Sequence, residues 1–351
     1  MLVAAGLNLL IKKRDMAKEN YRKERIDRCI KARSDDIYAI SSKNEILYLL
    51  FPRVIPIAAL GIIALISPLY WQKVIISACI FAMLAVSWDF LSSCGMLSLG
   101  QALFFGIGSY IAGILNHYLN LPFYITIPVA TISGGLLSTI LLLPVVRLRG
   151  IYFAMVTLIL PLMLMRGIEA TRIFGGNEGI TGLSPFPNIW VELIIIITAM
   201  WVTLFALRRF ISSDYGLIFV SIRDNDRATM ASGINIYAFK AQALFIGSCI
   251  CAFCGAFMTH SYMFTGIPVF TMEFSILPIA ASAIGGIGSL AGPLLGAFVL
   301  VPLSEILREF GTLRVVFYGL VLVICVVALP EGIFHYLSRK YNEMERWVKI
   351  E

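Results

Sequence analysis

The chain has 351 residues, of which 59% are hydrophobic and 14% are charged, and its formal net charge is +7. Soluble globular proteins carry roughly a quarter charged residues, so this composition excludes a soluble domain and indicates an integral membrane protein. The apolar runs are continuous rather than alternating, which predicts helical spans. We assign the positive charge to basic loops beside anionic membrane lipid, and we expect no nucleic-acid partner.

Residues 1–50 are predicted to form a basic cytoplasmic extension ahead of the first span. The apolar start, residues 1–11, is too short to cross a membrane, and the charges that follow it make it a poor secretory signal. Mixed charge with a basic excess in residues 12–45 predicts an amphipathic helix or a partly ordered tail.

Residues 51–335 are predicted to form one transmembrane domain, an all-α polytopic helical bundle of about 8–10 spans. A span needs about 20 apolar residues. On that basis the spans are placed at 52–70, 74–92, 98–117, 123–146, 151–169, 189–208, 239–261, 275–288, 291–307 and 313–330.

Two of these spans contain breaks and are predicted to be broken or re-entrant helices. The span 98–117 follows a stretch of small polar residues, and 275–296 is interrupted by GGIGSLAGP. Such backbone survives at membrane depth when it faces a cavity or is packed in protein, and close packing through small residues is the alternative. The candidate lining of a conduit through the membrane is Asp89, Ser98, Gln101, Gly285, Gly286 and Gly288.

Asp89 lies deep in the second span, where a charge usually faces a partner or a water-filled path. The alternative role is a buried structural acid that accepts hydrogen bonds from the amides of a broken helix. Arg166 and Glu169 are three residues apart at the end of the fifth span, and they are expected to pair on one helix face.

No catalytic residues, metal site or bound cofactor are expected. The chain has three histidines, each isolated at a span end, and its only CxxC spacing, Cys251 to Cys254, lies in an apolar run. A phosphate-binding GxxxxGK[ST] loop is absent, so ATP is not expected to bind this chain itself.

The loop 170–188 is rich in glycine and proline, and the span count places it outside the cell. It is predicted either to dock an external partner or to be a simple polar connection. The candidate docking residues are Gly175, Gly176, Asn177 and Gly179.

The longest charged interruption in the apolar part of the chain runs from Ser213 to Lys240. Its spacing predicts a helix over 217–230, with Asp214 as the N-cap and Gly233 as the left-handed residue after the last turn. We predict that this helix lies at the cytoplasmic face and meets a partner that supplies energy. A solvated loop between two spans is the alternative.

Basic residues place both termini inside, with residues 336–351 as a cytoplasmic tail of a plasma-membrane or inner-membrane protein. This parity requires a turn on the cytoplasmic side at 285–291.

Five stretches resemble, in order and spacing, the LivM-type permease family of branched-chain amino-acid ABC importers. They are LSLGQALFFGIGSYIAGIL from Leu97, YFAMVTLIL from Tyr152, FGGNEGITGL from Phe174, the segment Gly216–Lys240, and SAIGGIGSLAGPLLGAFVL from Ser282. The resemblance covers about residues 50–335.

The resemblance implies a transport subunit without enzymatic activity. Its implied partners are a second related permease, two cytoplasmic ATPases that use ATP, and an extracytoplasmic substrate-binding protein. The loop 213–238 then docks on the ATPases through Gly216, Arg223, Asp224, Asn225, Asp226 and Gly233. The segment departs from the family at residues 226–229, where the family usually has an acidic residue followed by alanines.

The FGGN loop is also similar to the urea and short-chain amide branch of the family, so the substrate stays open. An ion-coupled secondary transporter that uses Asp89 and the broken helices is a second hypothesis from another class. A membrane enzyme is a third, but the sequence lacks a cluster of catalytic residue types.

Overall fold

A computed structural model describes residues 21–25, 56, 59–148, 150–308, 311, 319–320, 323–324, 327, 332–342 and 345–349. The chain divides into two compact units, one of Met1–Leu65 with His335–Glu351 and one of Ile66–Phe334. The helices are α1 (Leu69–Ser93), α2 (Gln101–Leu119), α3 (Phe123–Leu142), α4 (Ile151–Thr171), α5 (Ile189–Ile211), α6 (Asp214–Ala231), α7 (Ile236–Tyr262), α8 (Glu273–Gly285), α9 (Ala291–Ile306) and α10 (Ile333–Asn342).

Four short strands accompany the helices. In the first unit, β1 (Tyr21–Arg25) pairs antiparallel with β4 (Glu345–Lys349). In the second unit, β2 (Ile180–Thr181) pairs antiparallel with β3 (Phe264–Thr265). The strand at 21–25 corrects the prediction of an amphipathic helix at these residues, because residues at the two ends of the chain complete its hydrogen bonds. The alternative, a partly ordered tail, stays a prediction.

The prediction of an all-α polytopic membrane bundle is confirmed. Among the described residues, seven helical segments are long and apolar enough to span a membrane, and α9 is a shorter apolar helix. Of the predicted span 52–70, residues 56 and 59–70 are described and 59–66 are helical, whereas the predicted span 313–330 falls largely outside the described residues. The boundary between the first two predicted spans is displaced: α1 begins at Leu69 rather than at residue 74, because Pro68 is extended at its N-terminus and cannot continue a preceding helix.

The centre of the bundle is formed by α1, α2 and α7. Helix α7 packs along both α2 and α3, while α1 packs against α5 on one side and against the α8–α9 pair on another. Glycine allows the closest crossing, since a Cβ on Gly255 would lie 1.9 Å from the carbonyl oxygen of Phe105. The phenyl rings of Phe90, Phe104, Phe105 and Phe257, on α1, α2 and α7, are fully buried.

Helices α5 and α7 carry the chain between two opposite ends of the bundle. Helix α6 connects them at one end, which we call the α6 end. At the other end the loop before α5 pairs with the residues after α7 through β2 and β3, and we call this the loop end. The loop 170–188 and the segment 213–240 therefore lie at opposite ends of α5, and which of the two ends is cytoplasmic stays a prediction.

Candidate functional site

Helix α6 is bent at Asn225, whose backbone leaves the helical region at φ −158° and ψ 96°. The Asn225 side-chain oxygen accepts a hydrogen bond from the Ala228 amide at 3.1 Å. Thr229 closes the junction by donating its hydroxyl to the Asn225 carbonyl at 3.0 Å. Asn225 thus caps a second short helical segment within α6. Sequence reasoning predicted one continuous helix, although an asparagine between two aspartates is a signal for such an internal cap.

The two ends of α6 differ in how well they were predicted. Ser213, rather than Asp214, occupies the N-cap position, and its hydroxyl donates to the Phe210 carbonyl at 2.5 Å. The N-cap prediction is therefore wrong by one residue, because Asp214 already has helical geometry in the first turn. Gly233 has φ +83° directly after the helix, as predicted.

An aromatic cluster holds α6 against the bundle. The Phe219 ring lies 5.8 Å from the Phe210 ring of α5 and 6.1 Å from the Phe90 ring of α1, measured between centroids. Phe239 of α7 lies 6.1 Å from Phe219, and Tyr215 stacks on Phe210. Because Phe90 and Phe219 are buried, this cluster joins α6 to three other helices through packed apolar surface.

Two glycines permit close backbone approaches on either side of this cluster. A Cβ on Gly216 would lie 1.8 Å from the Ile211 carbonyl oxygen, so only glycine lets α6 fold back on the end of α5. Gly95, just after α1, has φ +74°, and a Cβ there would lie 3.1 Å from the Arg223 Cα. These contacts fix α6 relative to both α5 and α1.

The other face of α6 carries exposed charge. The Arg223 guanidinium donates to the neighbouring Asp224 carboxylate at 3.1 Å, and both side chains are exposed. Arg227 is also exposed. Asp226 lies 3.8 Å from the ammonium group of Lys240, which is buried at the start of α7. Five of the six predicted coupling residues therefore lie in α6, and Gly233 follows it. Arg223 and Asp224 are on the solvent side, and Asp226 is turned toward α7.

The segment between α1 and α2 is the first of the two predicted breaks. It runs from Cys94 to Gly100 without helical structure and is largely buried. Three hydroxyl groups accept hydrogen bonds from its amides and from the first turn of α2: Thr157 from Leu99 (3.0 Å), Ser98 from Gly100 (3.2 Å) and Ser275 from Ala102 (3.0 Å). Helices α4 and α8 thus satisfy the backbone that this break leaves unpaired.

Gln101 lies in a buried polar cluster between α1, α2 and α7. Its side-chain oxygen accepts from the Cys251 thiol at 2.8 Å, and that thiol is 3.3 Å from the Ser87 hydroxyl. Ser87 donates to the Gly247 carbonyl at 2.9 Å. The Gln101 Nε2 group has no hydrogen-bond partner among the described residues. Ser98 and Gln101 are close in the chain, but their side chains serve different clusters.

The CxxC pair does not form a metal site with other residues that the structure describes. Cys254 is buried, and its thiol is 3.8 Å from the Ile80 carbonyl oxygen. No group of three or more His, Cys, Asp or Glu side chains arranged to hold a metal ion occurs in the described part of the chain.

Asp89 caps the second predicted break, the turn between α8 and α9. Its Oδ1 accepts from the Gly288 amide at 2.6 Å, and its Oδ2 accepts from the Leu290 amide at 2.9 Å. The side chain is buried, with the residue 1% exposed. The structure thus supports the structural alternative for Asp89 and separates it from Gln101, whose partners are different. Gly285 ends α8, while Gly286 and Gly288 adopt positive φ in the turn.

The candidate external docking residues lie in the loop before β2. Gly175, Gly176 and Gly179 all have positive φ, and Asn177 is exposed at the tip. A Cβ on Gly179 would lie 2.5 Å from the Thr265 carbonyl oxygen, so glycine is needed where β2 pairs with β3. The loop presents a shaped surface at the loop end of the bundle.

Two buried side chains that the sequence did not single out for this role anchor the same loop. Asn116 accepts from the Ser184 amide at 2.9 Å and donates to the Leu121 carbonyl at 2.7 Å. His260 contacts the Ser184 carbonyl oxygen at 2.9 Å and the Thr126 hydroxyl at 2.6 Å. A histidine at a span end was predicted to lack a catalytic role, and its contacts here are those of a structural clamp.

A buried carboxylate, Glu192, forms an ion pair at the loop end. Lys73 of α1 donates to Glu192 of α5 at 2.7 Å, and Ser261 of α7 donates to the same carboxylate. Sequence reasoning missed this cluster, because its three members are far apart in the chain. Only the isolated charges in apolar segments could have indicated it. The predicted pair of Arg166 with Glu169 is confirmed at 2.7 Å.

A comparison with protein families decides which architecture this is. Residues 70–326 match the family described as the permease component of the branched-chain amino acid transport system. The chain belongs to this family. The match contains α1–α9 and therefore both helix breaks, the α6 segment and the glycine-rich loop.

Individual relatives are more distant. The chain is 27% identical over 273 residues to the high-affinity branched-chain amino acid transport system permease protein LivM of Escherichia coli strain K12. It has the same identity over 274 residues to LivM of Salmonella typhimurium strain LT2. Each match covers 68% of this chain and 64% of the relative. A ribose import permease protein, RbsC of Haemophilus influenzae strain ATCC 51907, is 26% identical over 228 residues, 60% of this chain and 68% of that protein. No solved structure matches.

Proposed function

We propose that this chain is the transmembrane permease subunit of an ATP-binding-cassette importer that translocates branched-chain amino acids. One observation carries the proposal: α6 is wedged into the bundle by buried aromatic rings and leaves a charged face exposed at one end. When an external protein displaces a helix held in this way, the displacement is transmitted to α1, α5 and α7 through these packed rings. The family membership and the names of the LivM relatives support the substrate class.

The chain is proposed to act with four other subunits. Two ATPases bind the face of α6 that presents Arg223 and Asp224, and they use the ATP. A second, related permease completes the membrane part. An extracytoplasmic substrate-binding protein docks on the loop that contains Asn177. In this arrangement the α6 end and both chain termini are cytoplasmic, as the basic residues Arg208 and Arg209 next to α6 favour.

Selectivity in this proposal resides in the binding protein, so the permease itself needs no high-affinity site. ATP shifts the bundle between outward-open and inward-open states only through a difference in free energy between those states. An apolar path with small side chains suits a branched aliphatic substrate. Urea and short-chain amides are the second candidate substrates, because the FGGN loop is similar to that branch of the family.

An ion-coupled secondary transporter is disfavoured by the contacts of Asp89. A coupling carboxylate needs access to the ion, whereas this carboxylate is buried against two backbone amides. The enzyme hypothesis gains no support from the described residues, in which no candidate metal cluster occurs.

The test is ATP-driven uptake in proteoliposomes that contain the chain, a related permease from the same genome and both ATPases. We expect the binding protein loaded with leucine, isoleucine or valine to drive uptake that requires internal ATP, and urea-loaded protein to fail. Arg223→Glu is expected to abolish ATPase association, with Arg166→Glu at the loop end as the matched control. Uptake by the purified chain alone, or co-purification of the ATPases with the Arg223→Glu variant, would contradict the proposal.

A further inference from the structure

Asp89 and Phe90 are neighbours on α1 that contact different elements. The Asp89 carboxylate binds the turn between α8 and α9, while the Phe90 ring packs on Phe210 and Phe219 in the aromatic cluster below α6. Successive residues on a helix point about 100° apart, so one short piece of α1 reaches both sides. Any displacement of this piece moves both contacts together.

This piece of α1 is held firmly on the α6 side. Phe90 is fully buried, and one turn later the chain passes Gly95, whose missing side chain lets it lie against the Arg223 backbone. Protein interiors are close-packed and transmit displacement rather than absorb it. A shift of α6 is therefore expected to move the end of α1.

The turn on the other side is held mainly by α1 and by close backbone contact. Leu290 has φ +54°, a conformation that a side chain other than glycine seldom adopts, so its surroundings must stabilise it. The Asp89 carboxylate binds the Leu290 amide itself. Gly332 also lies against the turn, since a Cβ there would be 2.3 Å from the Gly286 Cα. The tip residue, Ile287, is exposed.

We propose that Asp89 is a positioning residue that links α6 to this turn, so that a movement of α6 displaces the turn. The inference rests on the proposed function, in which ATPases move α6. When α6 moves, Phe90 and the end of α1 move with it, and Asp89 draws the Gly288 and Leu290 amides along. A carboxylate suits this task because it offers an acceptor oxygen to each amide, whereas a carboxamide offers only one.

The test follows the exposure of Ile287, at the tip of the turn, in the assembled transporter. Ile287→Cys is introduced into a chain in which Cys29 and Cys325 have been replaced by serine. The other five cysteines can stay, because they are buried or half-buried. The rate of labelling by a hydrophilic maleimide is measured in the nucleotide-free complex and in the complex trapped with ATP and vanadate. We expect the two rates to differ by at least about fivefold, the lower range for coupling between distant sites.

Asp89→Asn and Phe90→Leu break the link at different points. In each we expect the two labelling rates to converge to within roughly twofold, and the number of substrate molecules moved per ATP to fall, while ATPase activity persists. Phe90→Leu leaves the Asp89 contacts in place, so it tests the link even if Asp89→Asn assembles poorly. Glu169→Gln, in the exposed pair at the loop end, is the control and is expected to behave like the parent.

The outcomes separate the inference from the proposed function. The link is wrong if the complex transports substrate but Ile287→Cys is labelled at the same rate in both nucleotide states. It is also wrong if Asp89→Asn and Phe90→Leu keep the parent's difference between the two labelling rates. If both variants lower the yield and the ATPase activity in proportion and keep the transport-to-ATP ratio, Asp89 is only structural. If the parent does not assemble with ATPases at all, the proposed function itself fails.

Discussion

Asp89, Thr157 and Ser275 have the same role at three places in the bundle, which is to accept a hydrogen bond from the backbone. Each places an oxygen against a backbone amide that a broken helix leaves without an intrahelical partner. In a bilayer no water replaces these bonds, so the oxygen must come from another helix. Polar side chains in these breaks are therefore explained first by the backbone they satisfy. Among the described residues, four side chains keep a buried polar group without a hydrogen-bond partner: Gln101, Tyr110, Ser138 and Trp201.

Glu192 is a different kind of residue, because a charge rather than a backbone amide is its main partner. Its side chain is 4% exposed, and that of Lys73 is 38% exposed. Replacing Lys73 with Met leaves the buried Glu192 carboxylate with the Ser261 hydroxyl as its one remaining side-chain partner among the described residues. We expect the free energy of unfolding to fall by about 1–3 kcal/mol, less than the roughly 3–5 kcal/mol for a fully buried pair, because water reaches Lys73.

The measurement is the thermal unfolding midpoint of the purified protein in detergent. Arg166→Met is the matched control, since it breaks an ion pair whose side chains are 75% and 36% exposed. Such exposed pairs contribute at most about 1 kcal/mol. If Lys73→Met and Arg166→Met lowered the unfolding midpoint equally, the burial of Glu192 would not be what makes its ion pair with Lys73 stabilising.

At the scale of the element, the long helices could be predicted from the sequence, whereas the breaks and kinks in them could be predicted only in part. Continuous apolar runs predicted α1 to α5 and α7. A helix that contacts either protein or lipid on every side is apolar all round, so the length of the apolar run is enough to locate it. The break before Gln101 and the turn after Gly285 were predicted from clustered small residues. The kink at Asn225 was missed, since an internal cap depends on one side-chain hydrogen bond that propensity does not encode. The ion pair of Lys73 with Glu192 was missed because only the tertiary fold brings the two together.

Helix α6 offers a direct test of that kink. The Asn225 side chain accepts a hydrogen bond from the Ala228 amide, and aspartate can supply the same acceptor. We expect Asn225→Asp to keep the bend and to bind the ATPases as the parent does. Asn225→Ala loses a cap of about 1 kcal/mol and favours a straight α6, so the ATPases should co-purify in reduced amount.

The control for this comparison is Ser221→Ala, on the exposed side of α6 before the bend. The Ser221 hydroxyl donates only to the carbonyl of Ile218 within its own helix, so its loss leaves the bend unchanged. ATPase binding by Asn225→Ala that equals the parent's would mean that the bend has no part in docking.

At the scale of the whole molecule, the arrangement of the spans separates two surfaces to which we have assigned proposed roles. The α6 end carries the exposed charges of α6 together with Arg208 and Arg209. The loop end carries the glycine-rich loop, clamped by Asn116 and His260. Helices α5 and α7 both run between these surfaces. In the proposed importer, docking of the binding protein at one end and movement of the ATPases at the other therefore act on the same two helices.

This arrangement makes an orientation prediction that does not require transport. A single cysteine at Asn177 or at Ser221 is exposed at the loop end or the α6 end, respectively. Basic segments are retained on the cytoplasmic side, so α6 should face the cytoplasm. In intact cells without the ATPases, a membrane-impermeant maleimide should label Asn177→Cys once the probe reaches the outer face of the inner membrane. Ser221→Cys should be labelled only after that membrane is permeabilised. Inside-out vesicles should reverse the pattern, and labelling of both positions from one side would contradict the placement of α6 and the loop on opposite faces.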